Sequence, residues 1–200
     1  MKKIVFIFFL FSMIFALTSC EKDAVRIDDI DMFINETYYS NDPEDASWKY
    51  YGENAYEFFP SYDEIKYDYS DIKFYVYSYS DLFFYPDITY VLELKFDNKQ
   101  SYDVAKQDIF AQYNFLQDSV KEDRWPYSTI MPQATYTIGN YTVKIITQGE
   151  QDNFPNNVYA ICENQTDFVI RYLYVYDLDN DALNADDFID GIIESSNCKW

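Results

Sequence analysis

Apolar and polar positions fall into three regimes along this chain. Residues 4–17 form an apolar run broken only by Ser12 and preceded by Lys2 and Lys3. Residues 21–29 are polar and show no clear period, so they read as a tether. Ile30, Phe33 and Ile34 then fall at helical spacing. Residues 35–59 are rich in Tyr, Asn and acids, with Pro43 and Gly52 as breakers, and read as irregular structure packed on a domain. Ser61 with Glu64 three places on is a capping-box pattern, which predicts a short helix ending near Tyr69.

From Asp71 the period becomes two. Phe74, Val76 and Ser78 alternate with Lys73, Tyr75, Tyr77 and Tyr79, and Tyr90, Leu92, Leu94 and Phe96 alternate with Val91, Glu93 and Lys95, which predicts two strands. Ser101 is positioned to cap a helix whose Tyr102, Ala105, Ile109, Tyr113 and Leu116 form one apolar stripe. Segments 135–138 and 141–146 flank Gly139-Asn140, with glycine where a type II′ turn needs it, and a second hairpin joins 158–162 to 168–176. Asn184 caps a last helix with Phe188, Ile189, Ile192 and Ile193 on one face and Asp186 and Asp187 in its first turn. The order implies an α+β fold: an antiparallel sheet of about six strands with helices packed on one face.

The apolar run at 4–17 spans about 21 Å as a helix, short of the ~20 residues a hydrocarbon core requires. With its basic start it has the layout of a secretory signal. Leu17-Thr18-Ser19-Cys20 resembles the bacterial lipobox, in which small residues precede a cysteine that is acylated before the leader is removed. That resemblance implies a signal peptide at 1–19, a diacylglycerol or palmitate-bearing Cys20, a lipidated tether at 20–29 and one domain at 30–200. It places the protein at the bacterial cell membrane or outer envelope, facing outside the cytoplasm. Glu21 and Asp23 stand where surface-export acids do in some bacterial lipoproteins, although Lys22 interrupts them.

The leader holds two of the 15 basic residues and none of the 35 acids, so the remainder carries a net charge of −22. Such a surface repels nucleic acid and anionic headgroups. A hydrophobic content of 48%, with 21% aromatic, separates the chain from acidic disordered segments and predicts a folded core. There is no histidine, which removes Ser-His-Asp and Cys-His catalysis and the commonest zinc ligand. With Cys20 acylated, Cys162 and Cys198 are an even pair in an exported protein, and a disulfide between them is expected; two buried thiols are the other reading.

Three chemistries remain. Tyr75, Tyr77 and Tyr79 project from one face of a strand, and Tyr172, Tyr174 and Tyr176 from one face of another. If these strands pair, two tyrosine ladders lie side by side and could bind a sugar or a protein; alternatively, they cover a sheet face with their hydroxyls wet. Asp177, Asp179 and Asp181 begin like a calcium loop, but Ala182 and Phe188 stand where glycine and the bidentate glutamate belong. A glycosidase needs two carboxyls at about 5 to 9 Å, and no pair is singled out. The expectation is therefore an envelope-anchored binding or interaction module taking a protein or glycan partner and no cofactor. A carbohydrate-active hydrolase and a calcium-dependent adhesion protein are the alternatives.

Overall fold

The computed structural model describes residues 25–36, 38, 55, 57–79, 87–117, 134–147 and 157–176. Its centre is one seven-stranded sheet in which every pairing is antiparallel. In chain order the strands are β1 (Val25–Asp28), β2 (Asp71–Tyr79), β3 (Asp87–Lys95), β4 (Thr135–Ile138), β5 (Tyr141–Ile145), β6 (Asn157–Asn164) and β7 (Val169–Tyr176). Across the sheet they run β1-β2-β3-β7-β6-β5-β4. The four strands β4–β7 form a meander that folds back so that its last strand docks on β3. Among the described residues the sheet is accompanied by α1 (Ile30–Ile34) and α2 (Lys99–Gln112), with a 3-10 turn at Tyr62–Glu64.

The sheet has one strand more than the pattern predicts. The stretch read as a tether contains β1, whose Val25 to Asp28 pair with Ser78 to Tyr75. Apolar and charged residues alternate in Val25-Arg26-Ile27-Asp28, but four residues are too few to show a period against a polar flank. Asp29 then caps α1, its carboxylate accepting from the Asp31 amide at 2.9 Å. The spacing of Ile30, Phe33 and Ile34 does give this helix, and Phe33 is its buried residue.

Two other boundaries move. The helix predicted from Ser61 to near Tyr69 stops at Glu64 after a single 3-10 turn, because Ile65 leaves helical geometry at φ −76°, ψ 89° and is buried in the core. The Ser61 amide still donates to the Glu64 carboxylate at 3.0 Å, which holds that carboxyl below its ordinary range. In α2 the cap is Asn98 rather than Ser101: its side chain accepts from the Ser101 amide at 3.0 Å. Tyr102, Ala105 and Ile109 are buried as the stripe requires, but the helix ends at Gln112. Leu116 belongs to an extended segment that hydrogen-bonds Ile145 at 2.9 Å. The helix predicted after Asn184 lies outside the described residues.

Each face of the sheet carries its own core. Phe74, Val76, Tyr90, Leu92, Leu94, Ile161, Ile170, Tyr172 and Tyr174 share one cluster with Phe33 of α1 and with Tyr102, Ala105 and Ile109 of α2. Tyr75, Tyr77, Val91, Leu173, Val175, Val158, Ala160, Cys162, Val143 and Ile145 form the other. The first is aromatic to an unusual degree: Phe74, Tyr90, Tyr174 and Tyr159 carry rings across four strands at centroid separations of 6.3, 5.9 and 5.2 Å, and Tyr38, Phe58 and Phe59 pack over them. Rings at such spacings add about 0.5–1.5 kcal/mol per pair beyond their area.

The Gly139-Asn140 turn is as its residues predict. Gly139 sits at φ 56°, where a β-carbon would strike the following carbonyl. Gly139→Ala is expected to lower unfolding stability by about 1–2 kcal/mol, read as a shift in the urea midpoint with an unchanged slope.

Candidate functional site

The two tyrosine sets do not meet. β3 lies between β2 and β7, and its register settles which faces they take. Tyr75 is opposite Val91, which is opposite Leu173, whereas Phe74 is opposite Leu92, which is opposite Tyr172. Tyr75 and Tyr77 therefore face the second core and Tyr172 and Tyr174 the first. All four are at most 2% exposed. They are core residues, neither a side-by-side ladder nor a wetted cover. Tyr79 and Tyr176 occupy the ends of the same strands.

One row of the sheet carries a buried charge pair. Lys73, Glu93, Arg171, Cys162, Val143 and Tyr136 are successive cross-strand neighbours on β2, β3, β7, β6, β5 and β4. Arg171 donates to the Glu93 carboxylate through Nε and Nη2, both at 2.6 Å, with the two side chains 8% and 10% exposed. Tyr75 adds a hydroxyl donor to Glu93 at 3.3 Å, Lys73 lies 3.6 Å from it, and the guanidinium lies 4.2 Å from the Tyr141 ring centre. Burial opposes the charge on Arg171, but Tyr75, Glu93 and Tyr141 outweigh it and keep the guanidinium protonated. These contacts tie β2, β3, β7 and β5 together through one buried charge pair, so the row reads as a buried strut. Burial pushes the neighbouring Cys162 thiol up to about 12. Cys162 is a free, fully buried cysteine here, and Cys198, its expected partner, lies outside the described residues.

A second buried carboxylate, Glu163, ties α2 to the sheet. It accepts from the Tyr102 hydroxyl at 3.1 Å and pairs with Lys106, one helical turn further on. Neither Glu93 nor Glu163 is open to a substrate.

An open cleft of about 490 Å³ lies beside the N-terminal turn of α2, lined by Lys66, Tyr67, Asp68, Asn98, Gln100, Ser101 and Val104. Its two walls are far apart in sequence. Ser101 joins them, its hydroxyl donating to Asp68 at 3.2 Å. Tyr67 is held by its own hydroxyl, which donates to Asp108 at 2.8 Å and accepts from Gln112 at 3.3 Å. Burial, then the bond to Asp108, pushes the Tyr67 hydroxyl up to about 12, so it stays a neutral donor. Val104 contributes an apolar patch, 62% exposed. The lining thus offers one carboxylate, one ammonium, two amides, a hydroxyl and an aromatic ring. One carboxylate is half of what glycoside hydrolysis uses.

The sequence marked only Ser101 of these residues, as a cap. The cleft comes from the tertiary contact of 66–68 with 98–104, which leaves no local signature. Cys20 and the residues Asp177, Asp179 and Asp181 lie outside the described residues. Among the described residues no group of three or more His, Cys, Asp or Glu is placed to hold a metal ion, and no helix is long and apolar enough to cross a membrane. No protein-family model matches the chain, and no curated protein or solved structure matches it either.

Proposed function

We propose that the chain is a lipid-anchored protein of the bacterial envelope whose sheet domain, with its helical layer on one face, is a binding module for a neutral, hydroxyl-rich ligand such as an oligosaccharide. The observation that carries the binding reading is the cleft lining. A carboxylate, amides and a hydroxyl can share the paired hydroxyls of a sugar, while Tyr67 and Val104 supply area for its apolar face. The net charge of −22 outside the leader selects against anionic polymers. The anchor rests on Leu17-Thr18-Ser19-Cys20 and the run before it. A Cys162–Cys198 disulfide is part of the same exported reading.

Two measurements test this. Intact mass of membrane-extracted protein is expected to match residues 20–200 plus acyl chains, to fall to unlipidated species in Cys20→Ala, and to rise by two hydrogens on reduction if the cysteines pair. The soluble domain, screened on immobilised neutral oligosaccharides, is expected to bind with an affinity that Asp68→Ala and Gln100→Ala each lower about tenfold, the cost of one or two lost hydrogen bonds. Binding unchanged in both variants would move the ligand elsewhere.

A further inference from the structure

The register of the sheet fixes which corner of the domain the anchor holds. Only residues 21–24 separate Cys20 from β1, so the Cys20 and Val25 α-carbons are at most about 18 Å apart. Val25 lies opposite Ser78, at the end of β2 where the connection to β3 begins. β1 is also the terminal strand of the sheet.

The opposite corner can be located in the same way. Ile72, Leu94, Ile170, Glu163 and Thr142 form one row from β2 to β5. That row lies six residues along β2 from Ser78, about 20 Å. The far strand β4 is six inter-strand spacings from β1, about 29 Å. The Gly139-Asn140 turn, which joins β4 to β5 just past Thr142, is therefore some 35 Å from Val25 along the diagonal. The turn between β6 and β7 lies at the same end, with Gln165, Thr166 and Asp167 exposed. The cleft belongs to this end too, since Asn98 follows the end of β3 at Lys95 and Ser70 hydrogen-bonds Lys95 at 2.8 Å.

A body held at one corner by so short a leash still has to choose between leaning on the bilayer and standing off it. Charge decides. A net −22 spread over the part outside the leader is repelled by anionic headgroups within a Debye length, about 8–10 Å, and swings the body away around the anchored corner.

We infer that the Val25 corner of the sheet faces the bilayer and that the diagonal corner, carrying the Gly139-Asn140 turn, is the outermost surface, with the 165–167 turn and the cleft at the same end of the strands. This rests on the anchor proposed above. It gives the cleft a direction: it opens at the end of the sheet away from the anchored corner.

The test uses full-length protein, lipidated in cells, purified and reconstituted in vesicles of phosphatidylglycerol and phosphatidylcholine carrying a headgroup quencher. Single cysteines are introduced as Asp87→Cys, next to the anchored end, and Asn140→Cys, in a Cys198→Ser background; Cys162 is buried and unreactive. A fluorophore at 87 is expected to be quenched at least about threefold more than one at 140, and the contrast to shrink in high salt. Inserting about ten Gly and Ser residues after Lys22 lengthens the reach to roughly 20 Å root-mean-square, with a much longer maximum, and is expected to bring the two positions towards equality. Equal or reversed quenching in the original chain, or a contrast indifferent to the insertion, overturns the orientation. Intact mass of the same samples separates the two ideas: protein lacking acyl chains on Cys20 removes the anchor and this inference together, whereas acylated protein with equal quenching removes the orientation alone.

Discussion

Glu93→Ala is expected to cost the fold about 3–5 kcal/mol, a large share of the 5–15 kcal/mol that holds a domain of this size together. The loss follows from what is left behind. Arg171 would keep its charge at 8% exposure with neither of its 2.6 Å contacts, and a buried guanidinium has no neutral form to fall back on. The Tyr75 hydroxyl would lose its acceptor as well. The pair itself is a different matter, since taking two charges out of water cancels much of their attraction. Glu93→Leu combined with Arg171→Met should therefore recover most of the loss, and the two single variants should show strong non-additivity. Urea unfolding of the parent, Glu93→Ala, Glu93→Leu, Arg171→Met and the double variant decides it: a Glu93→Ala cost below about 1 kcal/mol would show that water reaches the pair, and additive losses in the Leu/Met cycle would show that the two residues do not act together.

That strut was partly legible in the sequence. A lone charge within Val91-Leu92-Glu93-Leu94, and another within Val169-Ile170-Arg171-Tyr172-Leu173, is unusual in an apolar strand unless a partner lies alongside. The partner could not be read, because β3 and β7 are joined by the docking of a whole meander and not by a turn. The same non-local pairing misled the tyrosine reading. Alternation in β2 is real, but both of its phases are apolar: Phe74 and Val76 face one core and Tyr75 and Tyr77 the other. A period of two says that neighbours face opposite ways, not which way is wet. Tyrosine is the residue least able to settle that, being apolar in its ring and polar at its tip. Where turn chemistry is local, at Gly139-Asn140, or the stripe is long, at Tyr102, Ala105 and Ile109, the pattern and the structure agree. The cleft, made by residues some thirty positions apart, had no pattern to show.

Buried and half-buried tyrosine hydroxyls give the protein a second large liability, at alkaline pH. Desolvation raises the Tyr113 and Tyr159 hydroxyls to about 12, as it does that of Tyr141 against the pull of Arg171. It drives Tyr90, Tyr102 and Tyr172 higher still. Each of these groups is neutral when protonated, and the folded state holds the proton more tightly than the unfolded chain. Between the unfolded and folded values the unfolded state ionises while the native state does not, so stability falls as pH rises. The contribution is complete below about pH 9 and is lost progressively through about pH 9 to 12, each fully buried group removing up to about 1.4 kcal/mol per pH unit. Because several groups titrate in one window, the urea midpoint is expected to be nearly flat from pH 7 to about 9 and then to drop steeply, with these particular tyrosines ionising only as the chain unfolds. Tyr172→Phe, which keeps the ring and deletes the titrating hydroxyl, should make that decline shallower. A midpoint that holds steady to about pH 11, or ionisation of Tyr90, Tyr102 or Tyr172 near 10 in the folded protein, would mean that water reaches these rings and would overturn the prediction.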